Sequence, residues 1–365
     1  MIFDSLMLRA ALDEIAARAE GGEVVGVFPL ERNSLLLKLR VPEPVKILIS
    51  AEPAFARIHL STEDDKGKLK LPFTQELRRR LGPARLVTVR QHGFERISEF
   101  CFSTVDDLGD PHKLRLVVEL TGRHCNLFLL DEADRILLVM KSASSSRTGT
   151  RHLVAGAQYE LPPNSDLPAP WEVPFHELRE QLLERPAVKL TNTLQQLVAG
   201  GSAVLLGELM VRAGLQTEVT TSELDEAGWQ RLEETLGWLK TLVAEGKWAP
   251  VVLPEPGLKV QCYPISLLSL PAEWQHPAAT LGEALDAVVG ESKRELRSEA
   301  ERKQLLAVIR ERRKKAGKAL EDILLQLERA SEQDELKLKG DLLLTYGWQL
   351  SPETKLARLI DPASG

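Results

Sequence analysis

The sequence is poor in cysteine, with three cysteines among 365 residues. Cys101, Cys125 and Cys262 lie far apart and form no Cys-x-x-Cys pair, so the sequence predicts neither a disulfide framework nor a zinc site. It also lacks any uninterrupted apolar run of about 18 residues, and the amino-terminal segment carries an acid at Asp4, which argues against a membrane span and a signal peptide. We therefore expect a protein of the reducing cytoplasm with no membrane partner.

Motifs of familiar enzymes are missing as well. The sequence has no Walker loop, no Gly-x-Gly-x-x-Gly segment and no His-Glu-x-x-His segment. Cys125 directly follows His124, but adjacent residues on a strand point to opposite faces, so this pair is not expected to form a thiolate–imidazole couple. His92, His112, His124 and His152 show no metal-ligand spacing. We expect no hydrolase, kinase or dehydrogenase activity, no cofactor and no bound metal.

Apolar residues follow two different periods over the first 160 residues. After Asp4, the spacing of Leu8, Leu12, Ile15 and Ala19 predicts an amphipathic helix. Nine apolar segments separated by polar breaks then predict antiparallel strands, and one short helix, LPFTQELRRRLG, lies among them. The fold class predicted is α+β, with an N-terminal antiparallel β-sandwich-like or partly open barrel domain over residues 1–163.

The remainder of the chain is mainly helical in pattern. A proline-rich segment at residues 160–174 predicts a linker, and short helical segments joined by glycine pairs predict a small all-α domain over residues 172–250. From Leu281 to about Leu338 the pattern is helical without proline, and a seven-residue apolar repeat predicts a coiled-coil arm within residues 275–365. Because the apolar stripe of this arm needs a partner helix, we expect either an N-terminal portion of a longer protein or pairing with another chain.

Positive charge is concentrated in the arm. The chain has a net charge of -6, yet residues 293–318 contain eleven Lys or Arg and only four Glu. Such a segment is suited to contact phosphate groups in a salt-sensitive way, through Arg310, Arg312, Arg313, Lys314 and Lys315. A solvated helix surface with ion pairs explains the same pattern.

A second basic group lies in the first domain. Arg78 and Arg79 belong to a run of three adjacent arginines on the short helix, which cannot all face a core. Arg96 follows Glu95 in the turn sequence QHGFERI, where an acid can orient a guanidinium for bidentate contact with a phosphate or a base edge. The alternative is an ordinary surface or hairpin ion pair. A further arginine and histidine interrupt the apolar segment ELTGRHCNLFLL, at Arg123 and His124.

Seven segments in order resemble the NFACT family, also called the fibronectin-binding protein A-like family, over essentially the whole chain. They are FDSLMLRAALDEI with its aspartate at Asp4, KILISAEPAFARIHLS, PFTQELRRRL, QHGFERI, ELTGRHCNLFLLD, GGSAVLLGELMVRAGL and LKGDLLLTYGWQLSP. The resemblance implies an N-terminal domain similar in fold to that of formamidopyrimidine-DNA glycosylases, a helix-hairpin-helix-like second domain and a coiled-coil arm. The family's C-terminal NFACT-R domain has no counterpart within these residues.

The resemblance implies that the protein binds RNA and acts as a factor in ribosome quality control. Such a factor engages a stalled large ribosomal subunit carrying peptidyl-tRNA and recruits tRNA, of the alanine type in bacteria, for untemplated C-terminal tailing of the nascent chain. Peptide bond formation then belongs to the ribosome, so the protein is expected to be ribosome-associated and not an enzyme. The residues expected to form or support the tRNA-facing surface are Asp4, Arg78, Arg79, Glu95, Arg96, Arg123 and His124, while the basic arm contacts the ribosome.

Two positions depart from the family pattern, and two other functions remain open. The family's Asp-Arg pair is Glu95-Arg96 here, and its serine in GRHSN is Cys125. A surface adhesin that binds fibronectin or fibrinogen is one alternative, and non-catalytic DNA binding with a glycosylase-like fold is the other. Base excision is disfavoured because Ile2 stands where those enzymes carry their nucleophilic proline and the four-cysteine zinc finger is missing.

Overall fold

The computed structural model describes residues 2–64, 69–82, 84–105, 109–142, 151–163, 165–254 and 261–360. The chain forms two compact units, Met1–Ser292 and Lys293–Gly365. Among the described residues, no helix combines the length and apolar character needed to cross a membrane.

A nine-stranded antiparallel sheet dominates the first unit, in the order β4-β3-β2-β1-β5-β6-β7-β8-β9. One described register pair, Glu23 with Arg85, joins β1 to β5, so the sheet consists of two antiparallel halves. The strands are β1 Glu23–Glu31, β2 Ser34–Arg40, β3 Val45–Ser50, β4 Arg57–Leu60, β5 Arg85–Gln91, β6 Ile97–Val105, β7 Pro111–Glu119, β8 Asn126–Leu130 and β9 Ile136–Val139. The predicted α+β class is confirmed, and the strands form one large antiparallel sheet. The predicted sandwich-like or partly open barrel arrangement stays a prediction.

Alternation along the strands places one face of the sheet against the core. On β2, Leu35, Leu37 and Leu39 belong to the main core, whereas Lys38 lies on the opposite face. Helix α1, Ser5–Ala19, contacts β3 and β4 in one half and β5 in the other, so it fills the space between the halves. Helix α2, Pro72–Leu81, packs against β1 and β9.

The downstream helices share this core. They are α3 Phe175–Leu183, α4 Leu190–Leu197, α5 Ala203–Arg212 and α6 Glu226–Glu245, followed by a small sheet of β10 Val251–Val252, β11 Cys262–Tyr263 and β12 His276–Pro277. Leu178, Leu209 and Leu239 lie in the same apolar cluster as Leu8 and Leu37. The proline-rich segment also packs here, since Ala169 is buried in the cluster. The predicted division into domains at residues 163, 172 and 250 stays a prediction.

The first turns of α7, Leu281–Tyr346, are fixed to the sheet within the first unit. The Glu14 carboxylate accepts hydrogen bonds from the backbone N–H groups of Leu281 (2.6 Å) and Gly282 (3.2 Å). A Cβ atom at residue 282 would lie 2.3 Å from the Leu60 carbonyl oxygen, so only glycine fits at this approach to β4. The helix therefore begins at a position set by backbone contacts.

A buried polar cluster holds the next turn of α7. The Asp286 carboxylate accepts hydrogen bonds from His59 Nε2, Ser61 Oγ and the Thr62 backbone N–H, each at 2.8 Å. Burial alone would raise the pKa of Asp286, but these hydrogen bonds outweigh it and lower that pKa to about 2. Burial also lowers the pKa of His59, so we assign a neutral imidazole that donates to an ionised Asp286.

In the second unit, the apolar side chains of the arm are exposed. Leu306, Leu320 and Leu327 share one seven-residue register, and all three are open to solvent in this unit. The helix runs to Tyr346, eight residues beyond the predicted end, because no proline or glycine pair interrupts it there. The coiled-coil pairing stays a prediction.

Candidate functional site

The β5–β6 connection, residues 92–96, is a closed and rigid turn. The His92 backbone N–H donates to the Ile97 carbonyl at 2.9 Å, and the Gln91 side-chain amide donates to the carbonyls of Glu95 (2.7 Å) and Ser5 (3.0 Å). Phe94 is buried beneath the turn. The turn is therefore tied both to its own strands and to the start of α1.

Glu95 and Arg96, at the end of this turn, are half-buried. Burial raises the pKa of Glu95, and the nearby Arg96 charge opposes that shift. Among the described residues, Arg96 forms no close salt bridge, although its charge attracts the neighbouring Glu95 carboxylate. The Arg96 head group is thus available to an external anion, with the Glu95 carboxylate close enough to influence it.

The Arg123 and His124 pair lies on a short 3-10 turn, Gly122–His124, between β7 and β8. Gly122 has a φ of 61°, which favours glycine at the entry to the turn. Both side chains are exposed, and Arg123 Nε donates to His124 Nε2 at 3.1 Å. The interruption of the apolar segment is thus a turn that presents two nitrogen-rich side chains to solvent.

Cys125 faces the opposite way and is fully buried in the main core. Its Sγ–H donates to the Gly122 carbonyl at 2.8 Å, which closes the 3-10 turn. Burial raises the pKa of the Cys125 thiol, so the thiolate is disfavoured. The residue that takes the place of the family's serine therefore packs in the core and hydrogen-bonds to the turn.

The two turns lie side by side at one end of the sheet. The Leu120 backbone N–H donates to the Arg96 carbonyl at 2.8 Å, and Ile97 is in register with Glu119. The charge of Arg96 also reaches the Cys125 thiol, on which it acts to lower the pKa. The structure thus brings Glu95 and Arg96 next to the turn that carries Arg123 and His124.

Asp4 occupies a buried position beneath this end of the sheet, with 3% of its surface exposed. Its Oδ1 caps α1 by accepting from the Met7 backbone N–H at 3.0 Å. Its Oδ2 accepts from Ser202 Oγ at 2.6 Å and from Tyr263 Oη at 2.9 Å. Asp4 therefore joins α1, α5 and β11, and it is suited to support a ligand-facing surface from below.

The start of α5 packs directly on the 92–96 turn. Gly200 has a φ of 73°, and a Cβ atom there would lie 2.3 Å from the Phe94 ring. Ser202 then caps α5 by accepting from the Leu205 backbone N–H at 3.0 Å while it donates to Asp4. The contact of Ser202 with Asp4, 198 positions away, was not predictable from local pattern.

Arg78 and Arg79 lie on a different surface, where α2 packs on β1. The Arg79 guanidinium makes a two-point contact with Glu76, at 2.9 and 2.6 Å, and Arg80 Nε also donates to Glu76 at 2.8 Å. The hydrogen bond from Arg79 is the largest cause of a Glu76 pKa lowered to about 2. The Arg78 guanidinium lies over the Phe28 ring, 5.1 Å from its centroid.

A cleft of about 460 Å³ opens beside the 3-10 turn, lined by Arg123, His124 and Lys141 among others. At its base, Glu119 is 1% exposed and makes a two-point contact with Arg151, at 3.0 and 2.6 Å. This pair was not identified from the sequence, because its partners lie 32 positions apart. The rim of the cleft is cationic, since the buried acid is already neutralised by its own arginine.

The five predicted arm residues are exposed on α7 in the second unit: Arg310, Arg312, Arg313, Lys314 and Lys315. Lys315 pairs with Glu311 at 2.9 Å, an exposed contact between successive turns of the helix. Among the described residues, no group of three or more His, Cys, Asp or Glu side chains is placed to hold a metal ion.

Comparisons with known proteins match one family over nearly the whole chain. A family model described as NFACT N-terminal and middle domains matches residues 4–365. The Rqc2 homolog RqcH of Bacillus subtilis is 26% identical over 365 residues, which is 99% of this chain and 61% of that protein. The human ribosome quality control complex subunit NEMF is 31% identical over 141 residues, 38% of this chain and 12% of that protein.

A solved structure supports the fold. The N-terminal part of the fibronectin/fibrinogen-binding protein from Streptococcus suis matches with a TM-score of 0.65 and 24% identity, covering 80% of this chain and all of that one. At this identity the likeness shows the fold alone.

Proposed function

The chain belongs to the NFACT family, and on that premise we propose that it is an RNA-binding factor of ribosome quality control. The name of the human relative places that protein in a ribosome quality control complex. This chain spans 61% of the length of the Bacillus protein. The proposal is that the protein engages stalled large ribosomal subunits that carry peptidyl-tRNA and recruits tRNA for untemplated C-terminal tailing of the nascent chain.

The observation that carries the proposal is the pairing of two cationic turns on one rigid edge. Arg96 is half-buried beside the Glu95 carboxylate, and the exposed Arg123 and His124 side chains follow on the neighbouring turn. Guanidinium and imidazole groups held in this way are donors for phosphate oxygens and base edges. Asp4 and Ser202 support the edge from beneath, because they join α1 and α5 to the turn.

The proposed protein positions its substrates and leaves the bond formation to the ribosome. The polar groups at the edge include no activated nucleophile, since Cys125 is buried and its pKa is raised by burial. The proposal includes tRNA of the alanine type, which the family resemblance implies for bacteria. In this proposal the Glu95 carboxylate orients Arg96, as the aspartate of the family pattern would, with one more methylene of reach.

The basic arm is proposed to contact ribosomal RNA. Arg310, Arg312 and Lys314 are exposed, and the segment around them is rich in positive charge. Because each phosphate contact releases counterions, ribosome binding through this segment should weaken as salt concentration rises.

A direct test measures binding of purified protein to tRNA and to large ribosomal subunits. Arg96→Ala combined with Arg123→Ala should lower tRNA affinity by about 100-fold or more, since each of the two lost charge-assisted contacts contributes about 1.5–3 kcal/mol. Arg179→Ala is the matched control, because Arg179 is a partly exposed arginine on α3 that pairs with Glu226. Full tRNA affinity in the double variant would refute the assignment of this site. If the natural chain bound no RNA, the proposed function itself would be refuted.

A further inference from the structure

Phe28 lies flat on the outer face of the first half-sheet. On β1, Phe28 follows Val27, which belongs to the main core. On β2, its register partner Leu36 lies between Leu35 and Leu37, which also belong to that core. Because side chains alternate along a strand, the Phe28 ring lies on the opposite face. A Cβ atom at Gly26 would come within 2.5 Å of the ring, so the ring covers that glycine. The Phe28 ring remains half-buried, whereas the Phe94 ring is buried in contact with Trp171.

Two cations approach this ring from different elements. Lys38 Nζ on β2 lies 4.6 Å from the ring centroid, and the Arg78 guanidinium on α2 lies 5.1 Å from it. Both distances are within the range of cation–π attraction. Lys46 is in register with Lys38 on the next strand and adds a third positive charge to the same face.

The Asp64 carboxylate pairs with both lysines of this face. The Asp64 carboxylate contacts Lys46 at 2.6 Å and Lys38 at 3.8 Å, and its side chain is 75% exposed. One exposed carboxylate thus serves two lysines. The Arg78 guanidinium contacts the Phe28 ring, whereas the neighbouring Arg79 and Arg80 both form salt bridges with Glu76.

We propose that Phe28, Lys38 and Arg78 form a binding site for one unpaired nucleotide of RNA. The base stacks on the Phe28 ring between or beside the two cations, and the adjoining phosphate contacts Arg78 and Lys38. Single-stranded RNA is recognised by such combinations, because every base has a stacking face and every phosphate a negative charge. The inference rests on the proposed RNA-binding function, but it assigns a second surface, on α2 and β1, in addition to the edge at Arg96.

The site also explains a difference among three adjacent arginines. Arg79 and Arg80 hold Glu76, a contact within the surface of α2. Arg78 instead reaches across to the sheet, where its guanidinium can move from the ring to a phosphate without leaving a carboxylate unpaired. A nucleotide can therefore bind without the disruption of an existing ion pair of Arg78 in the described part of the chain.

The test uses the full chain and a short unstructured RNA that carries one 2-aminopurine, whose fluorescence is quenched by stacking. Phe28→Leu keeps an apolar side chain but removes the π-face, and Phe28→Tyr keeps the face. We expect Phe28→Leu to weaken binding about 5- to 100-fold and to abolish the quench, and Phe28→Tyr to preserve both. Arg78→Ala should reduce the slope of log affinity against log salt by about 1, whereas Arg79→Ala should change it less.

Two results would overturn the site while leaving the proposed function intact. One is unchanged RNA affinity and quench in Phe28→Leu, when Arg96→Ala with Arg123→Ala still weakens tRNA binding. The other is ultraviolet cross-linking of RNA to the natural protein that yields no linked peptide containing Phe28. The cross-link also decides the matter if Phe28→Leu fails to fold. A natural chain that binds neither this RNA nor tRNA would instead reject the proposed function itself.

Discussion

Replacing Asp4 by alanine should destabilise the first unit strongly, because this buried carboxylate joins three elements. The change removes the cap of α1 at the Met7 backbone N–H, and it leaves the hydroxyl groups of Ser202 and Tyr263 without their acceptor. Loss of a helix cap costs about 1 kcal/mol, and each buried donor left unpaired costs about 1–3 kcal/mol. We expect a total loss of about 3–7 kcal/mol in the free energy of unfolding.

Urea unfolding, followed by circular dichroism and tryptophan fluorescence, measures this loss. Tyr263→Phe removes one donor to the same carboxylate and should cost about 1.5–3 kcal/mol. In the double variant the two losses should fall short of additivity, because both changes remove the same hydrogen bond. Glu180→Ala, on an exposed position of α3, is the control and should stay within about 0.5 kcal/mol of the natural chain. A loss below about 1 kcal/mol in Asp4→Ala would refute the assignment of Asp4 as a buried junction.

Further predictions concern the base of α7 and the buried thiol. Gly282→Ala should destabilise the first unit by about 2 kcal/mol or more in urea unfolding, because the new Cβ would lie 2.3 Å from the Leu60 carbonyl oxygen. The control is Gly237→Ala on α6, where the space around the glycine is open. This change should be neutral or stabilising by up to about 1 kcal/mol. Equal effects of the two changes would contradict this reasoning. The Asp286 pKa is lowered from 3.8 to about 2, so its contribution is present above pH 3.8 and is lost as the pH falls towards 2. Asp286→Asn should therefore flatten the pH dependence of unfolding in that window, and an unchanged curve would exclude the ionised carboxylate. Finally, Cys125 should react with a thiol reagent only on unfolding, as followed by mass spectrometry, and rapid labelling of the folded protein would show that this thiol is not buried.

Local sequence patterns predicted the elements of this fold well. The nine apolar segments became the nine strands, and the first helix begins directly after Asp4, as its capping chemistry predicts. These features depend on side-chain period and on capping within a few residues. Some observed strand boundaries differ from the apolar segments of the sequence. Phe94 continues the apolar pattern of β6, yet it belongs to the 92–96 turn, and β6 begins at Ile97.

The arrangement of the site depended on contacts that no local pattern contains. The sequence assigned Asp4 and Arg96 to the same tRNA-facing surface. Asp4 is in fact buried, and it supports that surface through a hydrogen bond with Ser202, which lies 198 positions away. Three adjacent arginines on α2 looked equivalent, but their partners differ because Glu76 lies one turn before Arg79 and Arg80, while Phe28 lies on another element below Arg78. Such distinctions arise only when the elements pack.

The family resemblance suggested the proposed function, which spacing alone left open. Without it, Arg123 and His124 were ordinary polar residues at a strand end. The structure adds that they lie on a 3-10 turn next to Arg96, with Cys125 turned inward to close that turn. The proposed tRNA-facing edge is thus defined by backbone geometry as well as by charge.

Sequencing of the RNA that copurifies with the protein from cells tests the central proposal most directly. The natural chain should enrich tRNA and large-subunit ribosomal RNA, and Arg96→Ala with Arg123→Ala should lose the tRNA while ribosomal RNA is retained through the basic arm. The Arg179→Ala control should behave as the natural chain does. Equal tRNA recovery with the natural chain and the double variant, or no enrichment of either RNA, would contradict the account.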